Sequence, residues 1–319
     1  MTIAWVIGGS GLLGLALSRA IQLTETRLFI PTERFRWTSE SEVTSQLEVA
    51  VKVFATLVDA ETNWQIYWAA GVGTMGSAGE ALAIETRVLS KLLGFIESQP
   101  ELIAAAGCFT FASSAGAIYA GATDDIINEN TSVAPTTAYG HEKLKQESLI
   151  GAFAIKHARV TALFARISTL YGPGQATGKQ QGLIAEIARR ILRNQPIQIY
   201  VPFDTIRDYI TATDAAFTIL TTMRAISGKF GIVVKIVASE QSTTIAEIIS
   251  VYKKIARRKP RIVTSASKLS SIYNRRIQFQ SLVYLANERI SRTSLFIGIA
   301  QVMTAERKEF AQTQNKSYL

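Results

Sequence analysis

Two kinds of apolar pattern alternate along the first half of the chain. Short, bulky, nearly continuous runs at residues 2–7, 27–30, 64–70, 107–112 and 160–165 read as strands buried on both faces. Between them lie longer stretches whose apolar residues recur three and four apart. Leu15, Leu17, Ala20 and Ile21 form one such set. Val43, Leu47, Val51 and Phe54 form a second within 39–57, and Leu82, Val88, Leu89, Leu92 and Leu93 a third within 80–96. This spacing gives each helix one apolar stripe, suited to covering a sheet. Strands alternating with helices from residue 2 to 165 predict a doubly wound α/β domain with a parallel sheet.

Past that point the alternation loosens. The pattern predicts helices over 183–192, 214–225 and 245–257, with short strands over 197–200, 207–210 and 230–237. Late elements of the first domain thus interleave with pieces of a smaller C-terminal domain. The expected division is residues 1–166 plus about 208–234 for the first, and about 167–207 and 235–319 for the second. A cleft between two such units is the default substrate site.

The strand at 2–7 runs straight into Gly8-Gly9-Ser10-Gly11-Leu12-Leu13-Gly14, and the helical pattern begins there. In a strand–turn–helix unit the first glycine permits the tight turn, and the second lets backbone approach a pyrophosphate. The third allows close helix–strand packing, and the helix N-terminus favours the phosphate charge. This predicts a dinucleotide cofactor held by Gly8, Gly11, Leu12, Leu13 and Gly14. The small residues Ala69, Ala70 and Gly71, at the end of another strand, suit contact with a flat ring or ribose. After the second strand, Glu33, Arg34 and Arg36 offer both signs of charge. An acidic residue there binds a ribose 2′-hydroxyl and an arginine favours a 2′-phosphate. Arg34 tilts the choice between NAD and NADP toward NADP.

The chemistry is concentrated in one later stretch. The strand at 107–112 delivers Ser113 and Ser114 to the sheet edge where ligands sit in open parallel sheets. After Pro135-Thr136-Thr137, a helix begins and presents Tyr139 and Lys143, four residues apart on one face. A phenol alone, with a pKa near 10, is a poor base at neutral pH. A nearby ammonium stabilises the phenolate and lowers that value. A serine hydroxyl across the same substrate oxygen would align it and share its proton. Ser114, Tyr139 and Lys143 are therefore the candidate catalytic set for acid–base work beside hydride transfer.

Composition narrows the alternatives. The 319 residues are 48% apolar and 18% charged, a globular balance. Cys108 is the single cysteine, which excludes a disulfide framework and fits a reducing, cytoplasmic setting. The first residues lack a basic leader, so no secretory signal is expected. The window 104–122 is too rich in Gly, Ser and Thr for a membrane span. His141 and His157 have no metal-ligand company, so no metal site is expected. Of 34 Lys and Arg, 14 fall in residues 251–319, against 3 of 25 acidic residues. That run, which includes Lys253, Lys254, Arg257, Arg258, Lys259 and Arg261, has no interleaved aromatics. It reads as a solvated face and argues against a nucleic-acid partner.

These motifs together resemble the extended short-chain dehydrogenase/reductases, the nucleotide-sugar epimerase/dehydratase group, over most of the chain. Gly8, Gly11 and Gly14 are similar to that family's glycine turn. Residues 111–119 are similar to its serine strand and 135–143 to its catalytic helix. Tyr171-Gly172-Pro173-Gly174-Gln175 resembles the segment opening its sugar-nucleotide domain, and Arg207-Asp208-Tyr209-Ile210 its Arg-Asp element. The resemblance implies a Rossmann-like fold, a nucleotide-diphosphate sugar as substrate, and a homodimer paired through the helices bearing Glu85 and Tyr139. It also implies that Arg207 meets the substrate's diphosphate. Departures accompany it. The family's catalytic Ser/Thr position is Ala115 here, which leaves Ser114 as the candidate hydroxyl with Ser113 behind it. The dehydratases' Asp-Glu pair is Gly116-Ala117, which argues against water elimination. An asparagine contacting substrate is Thr169, and another in the helix after Gly71 is Glu85.

The resulting expectation is an NAD(P)-dependent oxidoreductase of nucleotide sugars, a 4-epimerase or a 4-keto reductase. The rival expectation is a non-catalytic dinucleotide-binding redox sensor or scaffold.

Overall fold

The computed structural model describes residues 1–59, 61–71, 73–77, 79–175, 182–257, 259–264, 276–283 and 292–316. The first part of the chain alternates as its pattern predicts. β1 (Thr2–Ile7) leads to α1 (Leu12–Gln22), β2 (Arg27–Phe29), α2 (Glu40–Ala55), β3 (Asn63–Trp68) and α3 (Gly79–Glu97). A short α4 (Pro100–Ala104) precedes β4 (Gly107–Ser114), which passes directly into α5 (Ala115–Ile118); α6 (Ala138–Lys156) and β5 (Val160–Ile167) follow. The later elements are β6 (Thr169–Tyr171), α7 (Leu183–Leu192), β7 (Ile197–Ile199), β8 (Ile206–Thr211), α8 (Ala212–Ala225) and β9 (Gly231–Val237). After them come β10 (Ser242–Thr244), α9 (Ile245–Ala256), β11 (Ile262–Thr264) and α10 (Leu295–Lys316).

Six strands form one wholly parallel sheet in the order β2-β1-β3-β4-β5-β9. Side chains alternate across each strand, and β1 shows the consequence. Ile3, Trp5 and Ile7 join a core with α2, α3 and α6, while Ala4 and Val6 join a second core with α1 and α8. This is the doubly wound fold that the pattern predicts. Strand order reverses between β1 and β3, where ligands sit in open parallel sheets. A three-stranded sheet, β10-β8-β6, and the pair β11-β7 lie outside the main sheet. They accompany a third core built by α7, α9 and α10. Within it Arg189 of α7 and Glu306 of α10 form a buried ion pair at 2.9 Å.

Helix starts are set by local chemistry. Ser39, Thr137 and Thr211 each accept a backbone N–H three residues on, and Thr244 makes a reciprocal capping box with Glu247. The cap at Thr137 fixes where α6 begins, and so places Tyr139 in its first turn. Among the described residues no helix is long and apolar enough to cross a membrane.

Candidate active site

The turn after β1 is shaped by two close approaches. Gly8 has φ +87°, and a Cβ there would lie 2.5 Å from the Ala70 nitrogen. A Cβ on Gly14 would lie 2.2 Å from the Gly8 oxygen. Only glycine allows the turn to fold against both α1 and the end of β3. Gly11 caps α1 without a side-chain hydrogen bond, and the first turn of that helix carries no acidic residue. Its amides and dipole are therefore available to an anion.

From this turn a cleft of about 570 Å³ runs along the carboxyl ends of the strands. Its walls include Gly11, Leu12 and Leu13, then Ala69, Ala70 and Gly71, then Ser113, Ser114, Tyr139 and Lys143. They continue into β6 and β8 through Thr169 and Arg207. The sequence-derived candidates thus converge on one cavity, with three exceptions. Gly8 and Gly14 shape the turn from behind, and Arg34 is exposed after β2, outside the cleft lining. The backbone oxygen of Arg34 accepts from Gln46 at 3.2 Å. Arg258 of the basic C-terminal run lies outside the described residues.

Tyr139 and Lys143 point the same way from α6. The Tyr139 phenol and the Ser114 hydroxyl line the same cleft. The Lys143 Nζ lies 5.6 Å from the Tyr139 ring centroid and 4.7 Å from that of Phe111, and donates to the Ala112 carbonyl at 3.4 Å. Burial pulls Lys143 down to about 8, while the Glu85 and Glu147 carboxylates pull it upward. The phenol departs from the sequence-based expectation of a lowered value. Burial, followed by the Glu85 carboxylate, pushes it above its ordinary value, and the Ser114 hydroxyl pulls the other way. Desolvation of the phenolate in a closed site is the largest effect.

The two serines have different partners. Ser113 is buried and donates to Glu147 Oε1 at 2.6 Å. Arg166 of β5 grips the same carboxylate through Nε at 3.0 Å and Nη2 at 2.6 Å, and its Nη1 donates to the Tyr119 hydroxyl at 2.6 Å. This closed network stands behind the cleft. Ala115 is fully buried at the start of α5, so it offers the cleft nothing. Gly116 and Ala117 line the cleft where the dehydratases carry their acidic pair.

Sequence reasoning left part of the cleft's surroundings unplaced. Glu147 stands four residues after Lys143 on the same helical stripe, and that spacing was the available signal. Glu85 reaches the cleft from α3. Ile277 and Phe279 close one wall from a C-terminal segment that carries no periodicity. Farther along, Thr169 opens β6 beside Tyr209, and Arg207 lines the cleft from β8 with one guanidinium nitrogen on the Ile206 carbonyl at 2.7 Å. Asp208 is buried and ties β8 to Ser168, Ser239 and Gln241. Among the described residues no cluster of His, Cys, Asp and Glu could hold a metal ion.

The arrangement fits a dinucleotide. A bare helix N-terminus faces one part of the cleft, and a buried ammonium with one hydrogen bond among the described residues faces another. Comparison with known proteins agrees with this geometry. The family model for the NAD dependent epimerase/dehydratase family matches residues 4–235, and the chain belongs to that family. The chain is 34% identical over 110 residues to a dTDP-4-dehydro-6-deoxyglucose reductase of Escherichia coli. That match spans about a third of this chain and a third of the relative (34% of each). Its fold is similar to that of Thermus thermophilus UDP-glucose 4-epimerase in complex with NAD. The TM-score is 0.77 at 16% identity, covering 96% of this chain and 99% of the other. It is also similar to the Pseudomonas aeruginosa RMD protein complexed with NADPH, with TM-score 0.76 at 20% identity, covering 97% of this chain and 100% of the other.

Proposed function

We propose that the chain is an NAD(P)-dependent oxidoreductase of nucleotide-diphosphate sugars, acting as a 4-keto reductase or a 4-epimerase. The observation that carries this reading is the convergence of Ser114, Tyr139 and Lys143 on one cleft that continues to the glycine turn. A bound nicotinamide would supply hydride exchange at the sugar carbon. The chain's own residues do the rest. The turn from Gly8 to Gly14 cradles the pyrophosphate at the α1 N-terminus, and Ala69, Ala70 and Gly71 give flat contact. Tyr139 exchanges the proton of the sugar oxygen through its phenol, Ser114 aligns that oxygen, and Lys143 holds ribose and steadies the charge that develops on Tyr139. Ser113 acts through Glu147 behind Ser114. Arg207 meets the diphosphate as a charged donor and Thr169 lines the sugar side. Of the two cofactors, Arg34 favours NADP. Residues 1–166 with about 208–234 form the dinucleotide domain, and α3 and α6 pair across a homodimer.

The names of the relatives support the substrate class: a reductase of a dTDP-sugar by sequence, and a UDP-glucose epimerase by fold. Gly116 and Ala117 leave no acid–base pair for dehydration at that position. The test is to denature the purified protein, identify any released cofactor, and then supply nucleoside-diphosphate 4-keto sugars with NADH or NADPH. An empty site that consumes reduced cofactor makes it a reductase, and tightly held NAD⁺ with interconversion of sugars makes it an epimerase. Cofactor binding without turnover of any nucleotide sugar would replace this reading with a non-catalytic dinucleotide-binding protein.

A further inference from the structure

Arg166 has no place in that scheme, yet it centres a buried network drawn from four elements that border the cleft. Its other members are Ser113 of β4, Tyr119 at the end of α5 and Glu147 of α6. Each stands beside a cleft position. Ser113 precedes Ser114, Tyr119 precedes Ala120, Glu147 lies one turn past Lys143, and Arg166 precedes Ile167.

Ser113 and Arg166 are register partners on β4 and β5, so their side chains share one face of the sheet. That face continues below them as Phe109, Phe111, Ala162 and Phe164, in one core with Ile150, Phe153 and Ala154 of α6. Apolar packing is non-directional. It presses α6 onto the sheet without fixing the helix's rotation or its position along the strands. The polar contacts supply what packing leaves free. Arg166 takes both Glu147 oxygens, Nε on Oε1 at 3.0 Å and Nη2 on Oε2 at 2.6 Å, in a planar fork that admits one geometry. Ser113 donates to the same Oε1, and Arg166 Nη1 donates to the Tyr119 hydroxyl. α5 begins after its N-cap, Ser114, and ends at its C-cap, Tyr119. The network therefore grips α5 at both ends while it grips α6. Gln146 ties α6 to Thr86 of α3 and Thr137 caps the helix, but neither bond is to β4 or β5. The Lys143 bond to the Ala112 carbonyl is long beside these, at 3.4 Å.

We propose that Arg166 is a positioning residue for the proton exchange at Tyr139: its fork on Glu147 sets the register of α6 against β4, and thereby holds Tyr139 and Lys143 opposite Ser114. This rests on the reading that those three residues serve the sugar oxygen. Stability alone is a poor account of the pair, because desolvation of two buried charges offsets much of their attraction. Register is a better one, since a misplacement of about 1 Å at reacting groups costs about 10²-fold in rate.

The test uses the double variant Arg166→Met/Glu147→Gln, which removes both charges together and keeps an acceptor for Ser113. Beside it stands Arg166→Lys, which keeps the charge and lacks the fork. Circular dichroism reports the fold, and fluorescence titration with NADH and NADPH reports cofactor binding. Both variants are expected to fold. In the double variant kcat should fall by about 10²-fold, while KM and cofactor affinity change far less, and Arg166→Lys should lie between it and the parent. In protein labelled with ¹³C-lysine, the Lys143 resonance is assigned by its loss in Lys143→Met and reports the ammonium's seat over the Phe111 ring. It should move toward the value of an exposed lysine in the double variant. A folded double variant with parental kcat, or with an unmoved Lys143 resonance, would overturn the proposal. Loss of fold in both variants, or a kcat loss matched by an equal loss of cofactor affinity, would mark a purely structural role and overturn it too. Absence of turnover in the parent would overturn the functional reading instead, and the Lys143 resonance would still decide whether Arg166 places the ammonium.

Discussion

Ser114 shares the cleft with the Tyr139 phenol, whereas Ser113, one residue earlier, donates to Glu147 at 2.6 Å. Adjacent strand residues face opposite sides, so the two hydroxyls cannot exchange roles without a break in β4. Ser114→Ala is expected to lower kcat by about 10²–10³, the scale of losing one aligned donor at a reacting oxygen, with the fold intact. Ser113→Ala should instead destabilise the protein by about 1–3 kcal/mol, because it leaves the Glu147 carboxylate short of a partner. Steady-state kinetics and thermal unfolding of both variants distinguish the serines. A larger kcat loss in Ser113→Ala would move the catalytic hydroxyl to that residue.

The glycine turn yields a second expectation. A methyl on Gly8 meets the Ala70 backbone at 2.5 Å in a residue whose φ is +87°, so neither rotation nor a flexible neighbour relieves it. Gly8→Ala should cost several kcal/mol in stability and weaken cofactor affinity at least tenfold. Fluorescence titration with NADH and NADPH checks this, and parent-like affinity would detach the turn from cofactor binding.

The proposed preference for NADP is tested at Arg34. Its side chain is exposed and Arg36, two residues on, is engaged with Glu42 at 2.8 Å. If Arg34 meets a 2′-phosphate, Arg34→Ala should weaken NADPH binding by about tenfold, the scale of one charge-assisted contact, and leave NADH affinity within about twofold. Equal losses for both cofactors, or none, would end the preference for NADP.

Much of this was legible in the sequence because burial on a parallel sheet writes itself as bulky runs. β1, β3, β4 and β5 each begin within a residue of the expected start, and the Thr137 cap made the position of Tyr139 readable. What stayed hidden has physical causes. β6, β10 and β11 are three residues long and gain their pairing from distant strands. The buried face of α10 repeats at Ile299, Val302, Met303 and Glu306, and its last member is a charge matched by Arg189 on another helix. The partners of Ser113, and the field of Glu85 on Tyr139, depend on tertiary contacts that no spacing in the chain encodes. The raised phenol is the clearest case. Four-residue spacing placed an ammonium beside it, but burial set the sign.

Lys143 couples function to stability. Burial lowers it to about 8 from an ordinary 10.5. Between those values the unfolded chain holds a proton that the folded chain has released, so folding stability rises with pH across that window. Below about pH 8 both states are protonated, and the cost of burying the ammonium is present in full. Lys143→Met keeps most of the apolar stem and removes the ammonium that lies over Phe111. It should abolish turnover yet raise stability at pH 7 by on the order of 1–3 kcal/mol, and it should flatten the rise in stability between about pH 8 and 10.5. Chemical denaturation at pH 7 and pH 9.5 measures both effects. A Lys143→Met protein less stable than its parent at pH 7 would show that Glu85 and Glu147 more than compensate for the buried ammonium, and the lysine would then be a structural as well as a catalytic group.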